Sequence, residues 1–110
     1  MHRIFVYGSL RAGGFNSHLM DGAEFLGEMT IEGFRMYSLG AFPMIRRTGE
    51  PEHQVVGEVY LVSEGLRDRL DRLEGHPEWY RREEVAPGVE GYVYQHPAGS
   101  LVKSGDWRKR

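Results

Sequence analysis

A chain of 110 residues, 40% hydrophobic and 27% charged, has material for one core and reads as a single domain spanning residues 1–110. Its net charge of −2 gives no basis for nucleic-acid binding, and the absence of cysteine excludes disulfides, thiolate metal sites and cysteine nucleophiles. No apolar run approaches the roughly 20 residues that cross a bilayer, and Met1-His2-Arg3-Ile4 enters a strand without a signal-like stretch, so no membrane partner and a cytoplasmic location are expected.

In chain order, Ile4 to Val6 are β-branched and aromatic and predict a buried strand. It runs into Gly8, after which the N–H groups of Ser9 and Leu10 need partners that the strand no longer supplies. Residues Tyr7 to Arg11 fit either a tight turn after an edge strand or a concave anion site. In the second case Tyr7 gives a ring and hydroxyl at the mouth and Arg11 gives positive charge. Residues 11–22 predict a loop with one helical turn starting at Asn16 or Ser17. Glu24–Thr30 and Phe34–Leu39 predict strands separated at Glu32-Gly33. Ala41 to Ile45 is a short apolar piece that Pro43 keeps out of a central strand position, and Arg46 to His53 predicts an exposed hairpin tip. Gln54–Val62 is a strong strand pattern.

The period then changes. Ser63 to Gly75 predicts the main helix, with Ser63 as N-cap, Glu64 at the positive end of the dipole, and Leu66, Leu70 and Leu73 on one stripe. Gly75 suits the residue after the last turn, and Pro77 prevents continuation. Tyr80–Val85 and Gly91–Gln95 predict two strands about a turn at Pro87-Gly88. The tail from Ser104 ends basic. Six or seven short strands and one helix favour a mostly antiparallel α+β fold, a small curled sheet or barrel with the helix over it.

Glu74 is the candidate acid/base. It lies about 40° from Leu70 around the helix, bordering the apolar stripe, in a last turn where the dipole disfavours negative charge. Partial burial and the dipole both raise a carboxyl pKa, as a general acid/base at neutral pH requires, while a solvated helix-end glutamate is the structural alternative. The five histidines show no metal-binding spacing, so no metal is expected. Ser9 lacks the second glycine of a nucleophile elbow. Tyr92 and Tyr94 alternate on the last predicted strand and share a face, either in the core or along a pocket.

Two segments together resemble a known family. Phe5-Val6-Tyr7-Gly8-Ser9-Leu10-Arg11 is similar to the signature of the γ-glutamylcyclotransferase-like superfamily. Leu70-Asp71-Arg72-Leu73-Glu74-Gly75-His76-Pro77-Glu78-Trp79-Tyr80-Arg81-Arg82 resembles its second block, in which an acidic residue precedes a Pro-x-x-Tyr-x-Arg segment, most closely in the γ-glutamylamine cyclotransferase (AIG2-like) branch. The Gly13-to-His18 loop and Ser104-Gly105-Asp106-Trp107 look like its small bacterial members. The resemblance implies a small mixed, mostly antiparallel β-barrel-like sheet with one main helix. It implies Glu74 as acid/base and substrate binding by Tyr7, Gly8, Ser9, Leu10, Arg11, Tyr80 and Arg82, with Tyr7–Leu10 holding the substrate's α-carboxylate. It further implies cofactor-free release of 5-oxoproline from a small γ-glutamyl substrate. A proton-shuttling carboxyl suffices for that chemistry, because the substrate's own α-amine is the nucleophile, and Tyr80 or the tyrosines of the last strand are expected to steady the oxyanion. A non-catalytic γ-glutamyl or small-anion binding module and a hydrolase using Ser9 are the competing functions.

Overall fold

A computed structural model describes all residues, Met1–Arg110. Eight strands divide between two sheets: β1 (His2–Val6), β2 (Glu24–Glu32), β5 (Gln54–Val62), β6 (Tyr80–Ala86) and β7 (Val89–Tyr94) in one, and β3 (Phe34–Ser38), β4 (Pro43–Arg47) and β8 (Ser100–Val102) in the other. The five-stranded order is β2-β5-β1-β7-β6 and the three-stranded order is β4-β3-β8. Every pairing is antiparallel except β1 with β7, which makes the fold a mixed, mostly antiparallel α+β arrangement with one main helix, α1 (Glu64–Glu74).

The strand count exceeds the expected six or seven because of the second sheet. β4 extends to Arg47, into what the sequence predicts as a hairpin tip, and β8 is a three-residue strand paired with β3 from the far end of the chain. Pro43 opens β4 at the sheet edge, where its missing N–H leaves no ladder bond unmade.

β1 is apolar on both faces because both are covered. Phe5 joins a core between the sheets with Phe34, Met36, Ile45 and Trp107. Ile4 and Val6 face a second core under α1 with Leu66, Leu70 and Met20, the last from a 3-10 turn at Ser17–Met20. α1 has the predicted ends: the Ser63 hydroxyl accepts from the Leu66 N–H, and Gly75 takes the left-handed conformation at φ 65°.

The topology gathers the chemistry-bearing residues at one end of the sheet. Parallel pairing of β1 and β7 brings the Tyr7–Leu10 loop, which leaves β1, beside Tyr92 and Tyr94 at the end of β7. β6 runs antiparallel to β7 and starts there, with Tyr80 opposite Tyr94. The last turn of α1 reaches the same end and ends in Glu74. No helix is long and apolar enough to cross a membrane.

Candidate active site

A cavity of about 410 Å³ opens between the loop after β1, the end of α1 and the starts of β4 and β6. The loop forms one wall. The Arg11 N–H donates to the Gly8 carbonyl at 3.0 Å and the Asn16 N–H to the Ser9 carbonyl at 2.9 Å, while the intervening N–H groups of Ser9 and Leu10 have no acceptor within the protein. Adjacent unpaired N–H groups on a cavity wall form a partial positive charge suited to an anion. Gly8 serves here through space rather than conformation. Its φ is not positive, but a Cβ on it would lie 2.6 Å from Pro43 Cγ.

Glu74 forms the facing wall. Burial alone pushes its carboxyl from 4.5 to about 7, with no ion pair or hydrogen bond in opposition. Its charge also helps raise the phenols of Tyr7, Tyr80 and Tyr92, after burial, so all four groups converge on one space. It is the only carboxylate in the lining, which otherwise is mostly apolar and aromatic.

The structure places the other expected residues differently from one another. Tyr7 lines the cavity but is buried below the mouth, and its hydroxyl donates to the Tyr92 carbonyl at 2.7 Å. Tyr80 lines it too, donating to the Pro43 carbonyl at 3.0 Å, which ties β6 to β4. Tyr92 donates to Asp71 at 2.7 Å. With these three protons committed, Tyr94 carries the one lining phenol without a partner, and its ring packs 4.9 Å from that of Tyr80. The Ser9 hydroxyl accepts from the Asn16 amide at 3.0 Å and has no base beside it, which removes the arrangement a serine hydrolase needs.

Two expected substrate contacts are corrected. Arg11 does not face the cavity. Its side chain is 2% exposed and binds Glu58 at 3.2 Å and Asp106 at 3.0 Å, two carboxylates that the fold brings to it from distant parts of the chain. Arg82 is held beside α1 by Asp71, by Glu90 at 3.2 Å and, through its backbone N–H, by His76 Nδ1 at 2.9 Å. Both cations serve the frame. For Asp71, burial acts to raise the carboxyl, but the Arg82 and Tyr92 hydrogen bonds outweigh it and hold the group below its usual range. Asp71 thereby fixes Tyr92, whose carbonyl fixes Tyr7.

A family model for γ-glutamyl cyclotransferase, AIG2-like proteins matches residues 4–109. The chain belongs to this family. Its relatives include the γ-glutamylcyclotransferase family protein YtfP of Escherichia coli K12, 38% identical over 113 residues that cover 98% of this chain and 97% of YtfP. Among solved structures, the PH0828 protein of Pyrococcus horikoshii superimposes with a TM-score of 0.84 at 33% identity, covering 99% of this chain and 92% of that one. A mouse AIG2-like protein does so at 0.75 and 29%, covering 89% and 80%.

Asn16, Phe42 and Pro43 belong to the cavity of this cyclotransferase-family chain but carry no local sequence signal for it. Asn16 and Phe42 reach it from irregular segments, and Pro43 does so through a β4 that only the second sheet orders.

Proposed function

We propose that the protein is a γ-glutamyl cyclotransferase that converts a small γ-glutamyl compound to 5-oxoproline and releases the amine. The observation that carries this is Glu74, a carboxyl raised to about 7 and facing an unpaired N–H pair across a largely apolar cavity.

In this scheme the Ser9 and Leu10 N–H groups hold the substrate's α-carboxylate, with Gly8 allowing the loop to lie against Pro43. Glu74 takes a proton from the α-ammonium. The freed amine attacks the γ-carbonyl, the new N–C bond closes a five-membered ring, and the old C–N bond breaks as Glu74 returns that proton to the leaving amine; the ring nitrogen sheds its second proton to solvent, and the released amine takes one up as an ammonium ion. A carboxyl near pH 7 is matched to both transfers. The Tyr94 hydroxyl is the donor left for the oxyanion. Holding amine and carbonyl in reach is the main lever, worth up to about 7–11 kcal/mol in ideal intramolecular cases.

The test offers purified protein the γ-glutamyl and α-glutamyl forms of one amine. The α-isomer places its amine next to the amide carbonyl, where attack would close a three-membered ring, and it lacks a free carboxylate beside that amine. The γ-form is expected to give equal amounts of 5-oxoproline and free amine, and the α-form neither. Equal consumption of both, or glutamate in place of 5-oxoproline, would establish hydrolysis and defeat the assignment.

A further inference from the structure

Two carboxyls on α1 meet opposite surroundings. Asp71 and Glu74 are three residues apart, which makes them neighbours on the helix surface, about 5–6 Å between Cβ atoms. Asp71 has both oxygens filled: Oδ1 accepts the Tyr92 hydroxyl at 2.7 Å and Oδ2 accepts from the Arg82 guanidinium. Glu74 has no such partner. Yet phenols surround it. The titratable and charged groups that face it are Tyr7 from the loop after β1, Tyr80 from β6, Tyr92 and Tyr94 from β7, and Arg72 from α1 itself, while β4 contributes only Pro43. Arg72 is exposed, so solvent screens its charge. Tyr7 and Tyr80 are committed to the backbone, to the carbonyls of Tyr92 and Pro43. Tyr92 is committed to a side chain, and that side chain sits beside Glu74 on the same helix. The Glu74 charge is felt at the Tyr92 phenol, so the two carboxyls compete for one proton donor.

We propose that Asp71 is a positioning residue for the proton transfers: it claims the Tyr92 hydroxyl and thereby leaves the Glu74 carboxyl without a donor. This rests on the cyclotransferase reading of Glu74. Arg82, held also by Glu90 at 3.2 Å, decides the competition. Although burial acts against it, the Arg82 and Tyr92 hydrogen bonds keep the Asp71 carboxyl below its usual range. Asp71 is therefore a charged acceptor throughout the range in which Glu74 titrates, and a charged acceptor outcompetes a protonated one. If the phenol turned to Glu74 it would stabilise the ionised carboxyl and make it a weaker base. Arg82 thus serves the chemistry at two contacts' distance, through Asp71 and Tyr92.

The test follows the Glu74 carboxyl carbon by NMR through a pH titration of the wild type, Asp71→Ala, Tyr92→Phe and the double variant. In Asp71→Ala the freed phenol turns to Glu74, which is expected to hold its proton about 10-fold more weakly. That variant also leaves Arg82 with Glu90 alone, and the double variant separates this charge effect from the phenol. It is expected to restore the proton affinity to within about 2-fold of wild type. Tyr92→Phe alone should leave the affinity within the same about 2-fold, since Tyr7 bonds to the backbone carbonyl of Tyr92 and keeps its partner. The acid limb of kcat/KM for 5-oxoproline release should move with the NMR midpoint in every variant. An unchanged midpoint in folded Asp71→Ala, a double variant as low as the single one, or a raised midpoint in Tyr92→Phe overturns the proposal. If Asp71→Ala does not fold, Tyr92→Phe decides: an unchanged midpoint supports the proposal and a raised one overturns it. If the midpoints behave as expected but the wild type yields no 5-oxoproline, the cyclotransferase reading falls and the hold of Asp71 on the phenol stands.

Discussion

Glu74 shows how one carboxyl acquires a raised pKa from its place on a helix. It borders the Leu66–Leu70 stripe, so the turn that buries those leucines also takes Glu74 out of water. That much was legible in the spacing of residues, because a helix fixes which side chains share an edge. Arg11 was not legible. An arginine after a glycine turn suggests a substrate contact, and only folding brings Glu58 and Asp106 to it from 47 and 95 residues away. The raised carboxyl has a consequence for stability. The stability permitted by a protonated Glu74 is complete below the ordinary value of 4.5 and is lost as pH rises through about 7. Glu74→Gln is therefore expected to unfold later than wild type at pH 8, by on the order of 2–3 kcal/mol after allowance for partial exposure, and to match it below about pH 4.5. Denaturant titration at both pH values checks this; a variant equally or less stable at pH 8 would mean that the carboxyl is solvated.

At the scale of elements, the loop between β1 and the 3-10 turn owes its shape to what it packs against. The sequence pointed to Gly8 for its backbone freedom, whereas the structure uses its missing side chain, since the Pro43 ring occupies the place of a Cβ. Gly8→Ala is expected to push the loop off Pro43 and weaken binding of a γ-glutamyl ligand by about 10-fold or more, through misaligned charge-assisted contacts. Ser9→Ala should change binding and turnover by less than about 3-fold, because the carboxylate is held by backbone N–H groups and only one exchangeable contact to Asn16 is lost. Calorimetry with both variants decides, and loss of activity in Ser9→Ala with binding kept in Gly8→Ala would reverse the assignment. Other elements divide along similar lines. α1 was legible to both ends because Ser63 and Gly75 act on neighbours in the chain. β8 was not, because Ser100 to Val102 becomes a strand only through β3, more than 60 residues earlier.

At the scale of the molecule, Arg11 is a tie between distant parts. Its guanidinium joins Glu58 on β5 and Asp106 near the end of the chain, and the second Glu58 oxygen accepts the Ala12 N–H at 2.7 Å. Gly105 beside it lies against the Gln54 carbonyl, where a Cβ would come within 2.1 Å, and its own carbonyl accepts the Val56 N–H at 2.8 Å. The final segment thus closes on β5 and the loop after β1 together, with Trp107 buried between the sheets. Arg11→Met leaves buried Asp106 without a cation and Glu58 with only the half-exposed Arg108, and is expected to cost about 3–5 kcal/mol of unfolding free energy. Thermal and denaturant melts read this directly. Unchanged stability with weakened substrate binding would return Arg11 to the cavity.

The central claim is that Glu74 moves the protons of cyclisation while the loop holds the ligand. The most direct measurement is turnover of a γ-glutamyl amide by Glu74→Gln beside wild type, with ligand binding to each followed by NMR or calorimetry. The swap keeps the shape and removes only the titrating group, so binding should stay within about 3-fold while turnover falls by about 100-fold or more. Turnover within a few-fold of wild type, at equal folding and binding, would remove Glu74 from the mechanism.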